Sequence, residues 1–324
     1  MYRRNEMKKI VKVLPYYEAR MWGGGHRLEE EFGYHTDVKP LGEVYNVVAL
    51  KGHADCAVPE MNMTLSELYE THPDWFECET EELPVRVNIL DPIDKLSVQI
   101  HPDDAFAKKY NGGRGKPECW VILDTPEDGY IEFGHHARTR EEFRKWFEAG
   151  EYDRLLKYLK AEKDAYIDIP TGTLHAIGSG VLTYNLSRNA DLTLRLYDYD
   201  RIDPETGKTR PIQQDEVIDQ VNIPDTSGVF EHYPVSHELG VDVTRYCDQP
   251  GLYTLMRLHV KQSGKFLHER FSFLTCVNGF GTVNGISLQK GETVLVPYGT
   301  GWLELKGNLD LFLASYRNQN KTGA

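Results

Sequence analysis

Three short strings carry the residue types that hold a divalent cation. In KLSVQIHPDD (95–104), Gln99 and His101 stand two apart in an apolar, alternating run. On a β-strand, residues i and i+2 leave the same face, so one strand would present both side chains to one ion. In IPTGTLHAIG (169–178), a strand-like AYIDI enters a Pro-x-Gly turn, and His175 follows three residues after Gly172. Proline presets φ and glycine admits a positive one, so the turn constrains the approach of the imidazole. In GKPECWVILD (115–124), Glu118 opens a strand at the point where the chain returns from a helix expected after Pro102. An amide, two imidazoles and a carboxylate mix hard and borderline donors, which suits zinc and also iron, manganese or cobalt.

The elements that must position these groups are short and strand-like, with Gly, Pro, Asn and Asp between them. Strands are expected at Val44–Leu50, Val85–Leu90, Leu96–Ile100, Cys119–Leu123, Tyr166–Ile169, Leu182–Leu186 and Thr193–Tyr197. Helices are few. One begins at Thr64, where Thr64 and Glu67 have capping-box spacing, and one follows Pro102 with Asp103 and Asp104 at its start. A third spans Arg140 to Ala149, capped by Thr139, with Phe143, Trp146 and Phe147 on one face. From about Val235 the chain reads as a second series of strands and turns. The fold class is therefore mainly β: two barrel or jelly-roll modules, residues 1–235 and 236–324, with a small helical insertion at about 138–162. The second module repeats the turn, with Pro297 and Gly299, but Trp302 stands where the first has its histidine. A metal-free covering role follows for it.

The 324 residues include 50 Asp+Glu against 37 Lys+Arg, a formal net charge of −13. That excess of acid argues against nucleic acid, whose backbone demands clustered cations. The N-terminal MYRRNEMKKIVKVLPYY lacks the apolar core of a secretory signal, and no stretch approaches the roughly 18 apolar residues of a membrane span. Five scattered cysteines form no CxxC pair and fit a reducing compartment. A cytoplasmic protein is expected, monomeric or homo-oligomeric. His135-His136 are neighbours on a strand and would point to opposite faces, so they are read as structural or surface residues.

The strings KLSVQIHPDD, GKPECWVILD, IPTGTLHAIGSG and LTLRLYDYDR, in this order, resemble the type I mannose-6-phosphate isomerases, a zinc-dependent cupin family. Trp22–Gly25 (WGGG) is similar to that family's early WGG segment. The likeness is strong from about 82 to 201 and looser over 15–50. It implies one Zn²⁺ held by Gln99, His101, Glu118 and His175, and it makes Arg195 the catalytic arginine. Lys116 falls at a lysine of the family's sugar-phosphate site, and Ser97 shares a strand face with two of the ligands. The implied reaction interconverts mannose 6-phosphate and fructose 6-phosphate through a cis-enediolate, with a small sugar phosphate as the partner.

Several positions depart from the family's pattern. Ten residues before the arginine, where a glutamate is usual, this chain has Asn185, and an amide cannot take and return a proton. Tyr45-Asn46 stand where a Trp-Glu pair is common, and Ser187-Arg188 replace residues that are usually glutamine. These changes spare the metal set but bear on turnover and sugar preference. Besides the isomerase, the sequence admits a silent sugar-phosphate-binding cupin, an isomerase of another sugar phosphate, or an iron-dependent oxidation catalyst.

Overall fold

The computed structural model describes residues 8–203 and 206–319, so the start of the basic N-terminal stretch lies outside the described residues. Strand Val85–Leu90 shows how the fold is organised. Its sequence VRVNIL sends Val85, Val87 and Ile89 to one face and Arg86 and Asn88 to the other. Antiparallel pairing carries this division across the sheet. Leu186 and Tyr184 lie opposite Val87 and Ile89, while Asn185 lies opposite Asn88 and Ser187 opposite Arg86. On the next strand, Glu118 and Trp120 continue the polar rows and Cys119 and Val121 the apolar ones.

Six strands build this sheet, in the order Tyr166–Ile169, Glu118–Asp124, Leu182–Arg188, Val85–Leu90, Leu41–Val47, Tyr16–Ala19. Its apolar face packs on the C-terminal sheet, where Leu255, Phe273, Phe312 and Ala314 join Val87, Ile89, Tyr184 and Leu186 in one core. Tyr184 stacks on Phe312 with ring centroids 4.3 Å apart. The polar face looks toward a five-stranded sheet ordered Leu156–Lys160, Tyr130–His135, His175–Ile177, Val98–Ile100, Leu194–Tyr197. Phe143, Trp146 and Phe147 of helix Arg140–Glu148 and Val217 and Ile218 of helix Gln214–Gln220 share a core with Val98, Ile100, Leu194 and Leu196 of that sheet.

The mainly β class and the three expected helices are present. Thr64 forms a full capping box, and Asp103 and Thr139 cap the other two helices. The sheets are open layers and not a closed barrel. The segment 138–162 is only partly helical: after Arg140–Glu148 and Tyr152–Leu155 it runs as an edge strand, Leu156–Lys160. The C-terminal sheet also recruits the N-terminal strand Val11–Val13, which pairs with Thr293–Val296 across the length of the chain. His135 is buried and bonded to the Asn222 carbonyl, while His136 is exposed. No described helix is long and apolar enough to cross a membrane.

Candidate metal and substrate site

His101, Glu118 and His175 come from three different strands or strand ends and converge, with their ligand atoms within 4.8 Å of one another. Backbone contacts set this geometry. The Gly172 N–H donates to the His101 carbonyl at 2.8 Å, so the Pro-x-Gly turn docks on the end of the first ligand strand. His175 pairs directly with Gln99, and Gln99 with Arg195 on the neighbouring strand. One row across the sheet thus carries His175, Gln99 and Arg195.

Both imidazoles are oriented from behind. His101 Nδ1 lies 3.0 Å from the Leu192 carbonyl and His175 Nδ1 2.9 Å from the Thr173 carbonyl. A carbonyl only accepts, so Nδ1 carries the proton in each ring and Nε2 keeps its lone pair. The Nε2 atoms face Glu118, at 3.4 Å for His101 and 3.5 Å for His175. Burial pushes His175 down to about 4, against the pull of Glu118, and burial with the nearby Lys116 lowers His101. Burial would raise Glu118, but Lys116 and His101 more than offset it and hold the carboxylate well below its usual range. Neutral imidazoles beside an ionised carboxylate are the protonation states that a metal ion requires.

The structure settles where the other expected residues lie. Lys116 is not a solvated loop residue: it is 8 % exposed, with Nζ 3.0 Å from Glu118 Oε2 and 3.4 Å from His101 Nε2. The Ser97 hydroxyl donates to Gln99 Oε1 at 3.0 Å. The Trp120 indole donates to Glu118 Oε1 at 3.1 Å and stands edge-on to His175. Arg195 is not tied to Asp198 or Asp200. Asp198 instead takes Arg201 and two bonds from Arg210, at 2.7 and 2.6 Å. The Arg195 Nε is buried with no hydrogen-bond partner among the described residues, and burial together with Arg210 presses its pKa below the ordinary guanidinium value.

Ser97, Gln99, Lys116, Glu118 and Arg195 line one cavity of about 270 Å³, with His101 and His175 in contact with Glu118 at its wall. Sequence reasoning missed much of the remaining lining, including Arg20, Glu43, Arg86, Asn88, Asp191 and Arg210. Arg20 Nε donates to Glu43 Oε2 at 2.7 Å, and Arg86 Nη1 to Asp191 Oδ1 at 2.9 Å. Burial works to raise Glu43, but Arg20 and Arg86 overcome it and keep the carboxylate below its usual range. The signal that could have found Arg86 and Asn88 is the alternation in VRVNIL itself. A strand with valine or isoleucine at every second position and a cation and an amide between them has two buried faces of opposite character.

Comparison with known proteins places this arrangement. The family model for phosphomannose isomerase type I, catalytic domain, matches residues 10–125. The chain is 34 % identical over 303 residues to the mannose-6-phosphate isomerase ManA of Bacillus subtilis, covering 90 % of this chain and 94 % of the relative. A crystal structure of mannose 6-phosphate isomerase from Bacillus subtilis superimposes with a TM-score of 0.89 at 26 % identity, over 95 % of this chain and 99 % of that one. A zinc-bound mannose 6-phosphate isomerase shares the fold, with a TM-score of 0.75 at 13 % identity over 95 % of this chain and 99 % of that one.

Proposed function

The chain belongs to the type I mannose-6-phosphate isomerases, and from that membership we propose that it interconverts mannose 6-phosphate and fructose 6-phosphate in the cavity between Glu118 and Arg195. The observation that carries the reading is one cavity wall holding a buried His-Glu-His cluster beside Arg195, whose buried Nε has no hydrogen-bond partner among the described residues. His175 Nε2 is buried without a hydrogen-bond partner among the described residues and faces the ionised Glu118, so the donor set fits a cation. Gln99, His101, Glu118 and His175 would hold one zinc ion, which as a Lewis acid would polarise the carbonyl and hydroxyl oxygens of the sugar.

The chain's own residues supply the rest. The phosphate meets a protein of net charge −13, and in a cavity where Arg20, Arg86 and Lys116 are paired with Glu43, Asp191 and Glu118, and Arg210 with Asp198, Arg195 is the cation left to meet it. Arg195, whose charge is disfavoured by burial and by Arg210, gains from an anion and stabilises the charge that develops on oxygen in the enediolate. Lys116 and Ser97 contact the bound sugar phosphate from beside the metal set. Asn185 cannot carry the proton between the adjacent carbons. Of the lining carboxylates outside the metal set, Glu43 is the enclosed one, 5 % exposed and held ionised, as a base must be. The free thiols of all five cysteines accord with a cytoplasmic enzyme.

The test follows conversion of mannose 6-phosphate to fructose 6-phosphate by purified protein, after chelation and after zinc is restored, with bound metal counted in parallel. Turnover that falls with the metal and returns with zinc supports the reading. A folded, zinc-loaded protein without turnover overturns it.

A further inference from the structure

The cavity face of the six-stranded sheet sets two amides side by side. Asn185 of strand Leu182–Arg188 stands directly opposite Asn88 of strand Val85–Leu90, and both line the cavity. They are 3 % and 2 % exposed, and Oδ1 of each is buried with no hydrogen-bond partner. Two orphaned carbonyl oxygens next to each other are costly unless something donates to them.

Chemistry fixes the orientation of one amide. Asn88 Nδ2 faces Glu43 Oε1, and a carboxylate held ionised only accepts. The NH₂ group must therefore point to Glu43 and the oxygen away from it. The flanking residues on the same row are engaged elsewhere. Trp120, opposite Asn185, gives its indole N–H to Glu118, and the Tyr45 hydroxyl, opposite Asn88, accepts from Arg20 and Arg86 and makes no hydrogen bond to the Asn88 oxygen. Both amides line the cavity, so a molecule bound there can supply the missing donors.

We infer that Asn88 and Asn185 form a paired-amide acceptor subsite that reads the non-reacting hydroxyls of the bound sugar and so helps set its specificity. This rests on the sugar-phosphate reading of the cavity given above. Isomerisation rearranges C1 and C2, so the hydroxyls at C3 and C4 keep their protons throughout and can donate to two fixed acceptors. A site built to bond a hydroxyl rejects an analogue that lacks it, because its buried acceptors are then left unpaired. An amide at 185 cannot carry a proton, and its place opposite Asn88 on the cavity face suits recognition.

The experiment measures kcat and KM for mannose 6-phosphate and its 3-deoxy and 4-deoxy analogues with wild type, Asn185→Ala and Asn88→Ala. Asn185→Ala should lose about three- to tenfold in kcat/KM for the parent sugar, chiefly through KM, and Asn88→Ala at least as much, with kcat falling too because Asn88 also bonds Glu43. One deoxy analogue should show that same loss with wild type and little further loss with the variant, a non-additive cycle. Equal losses on all three sugars would mean that neither amide touches a hydroxyl, and would overturn the inference. Should Asn88→Ala fail to fold once Glu43 loses its partner, Asn185→Ala decides alone. If the wild type binds sugar phosphates in calorimetry without turning over mannose 6-phosphate, the isomerase reading falls and the same cycle on Kd decides the amide pair. If it isomerises mannose 6-phosphate and the cycle is additive, the amide pair falls by itself.

Discussion

The molecule contains the same turn twice, and only one copy ends in a histidine. Gly172 and Gly299 both have φ of +79°. The following threonine N–H closes on the proline carbonyl at 3.2 Å in each, Thr173 on Pro170 and Thr300 on Pro297. Gly172 donates to the His101 carbonyl at 2.8 Å and Gly299 to that of Glu269 at 2.7 Å. The pairings correspond as well: His175 lies opposite Gln99 as Trp302 lies opposite Leu267, and Glu118 opposite Ile169 as Ser272 opposite Val296. The set Gln99, His101, Glu118, His175 thus maps onto Leu267, Glu269, Ser272, Trp302. The backbone that presents these side chains belongs to the fold, and the proposed capacity to bind a cation belongs to the four side chains of the first copy. In the second copy Leu267 and Trp302 are half exposed, and that sheet instead buries the apolar face of the first module.

The largest expected contrast is between the two residues that end the turns. Loss of a partner outside the ligand set typically costs about 10–100-fold, so His175→Ala should lower kcat/KM by more than about 100-fold and abolish stoichiometric zinc. Trp302→Ala should keep the zinc and stay within about twofold in activity. If Trp302→Ala lost metal, the second turn would be part of the site and the comparison would fail. The covering role is tested at Phe312, fully buried against Tyr184. Phe312→Ala should destabilise by about 3–5 kcal/mol in denaturant titration, with unfolding of both modules affected together. The turns themselves come next. A Cβ on Gly172 would meet Asn222 Oδ1 at 2.6 Å, whereas one on Gly299 meets nothing within 4 Å. Both alanines suffer the left-handed backbone, about 1–2 kcal/mol. Only Gly172→Ala adds a clash, so it should cost more and reduce activity through His101 and His175.

What could be read from the sequence follows from where each signal resides. His101, Glu118 and His175 were legible because their residue types are rare in apolar strands and each sits in a distinctive string. Helices with side-chain caps were legible too, at Thr64, Asp103 and Thr139. Helix Gln214–Gln220 was not, because Gln213 offers no side-chain cap. Strand Tyr130–His135 was hidden by the buried Glu132 and by Gly134, which has φ of +84° where the pairing register shifts. Val11–Val13 joins strand Thr293–Val296 from the far end of the chain, and no local pattern encodes such a pairing. Arg86 and Asn88 show in the alternation of VRVNIL, whereas Glu43, on an evenly buried strand, could be assigned to the cavity only through the pairing of its strand with theirs.

The smallest contrast concerns two buried histidines that burial drives to the same place. His175 and His268 are both pushed down to about 4. His175 faces Glu118 and a metal-capable cluster, whereas His268 Nε2 is buried with no partner, near Arg270 and Asp248. Unfolded, an imidazole titrates near pH 6.5, so as pH falls the unfolded chain takes up the proton before folded His268 does. The stability that His268 provides is therefore complete above about pH 6.5 and is lost as pH falls from there through about 4. The loss is on the order of 1–3 kcal/mol. His268→Phe keeps a ring stacked beside Phe266 and removes the titration, so its unfolding free energy should fall less steeply than that of wild type between pH 6.5 and 4. Identical slopes would mean that His268 already reaches solvent. The two modules would then differ in how dry their cores are, as well as in which side chains end their turns.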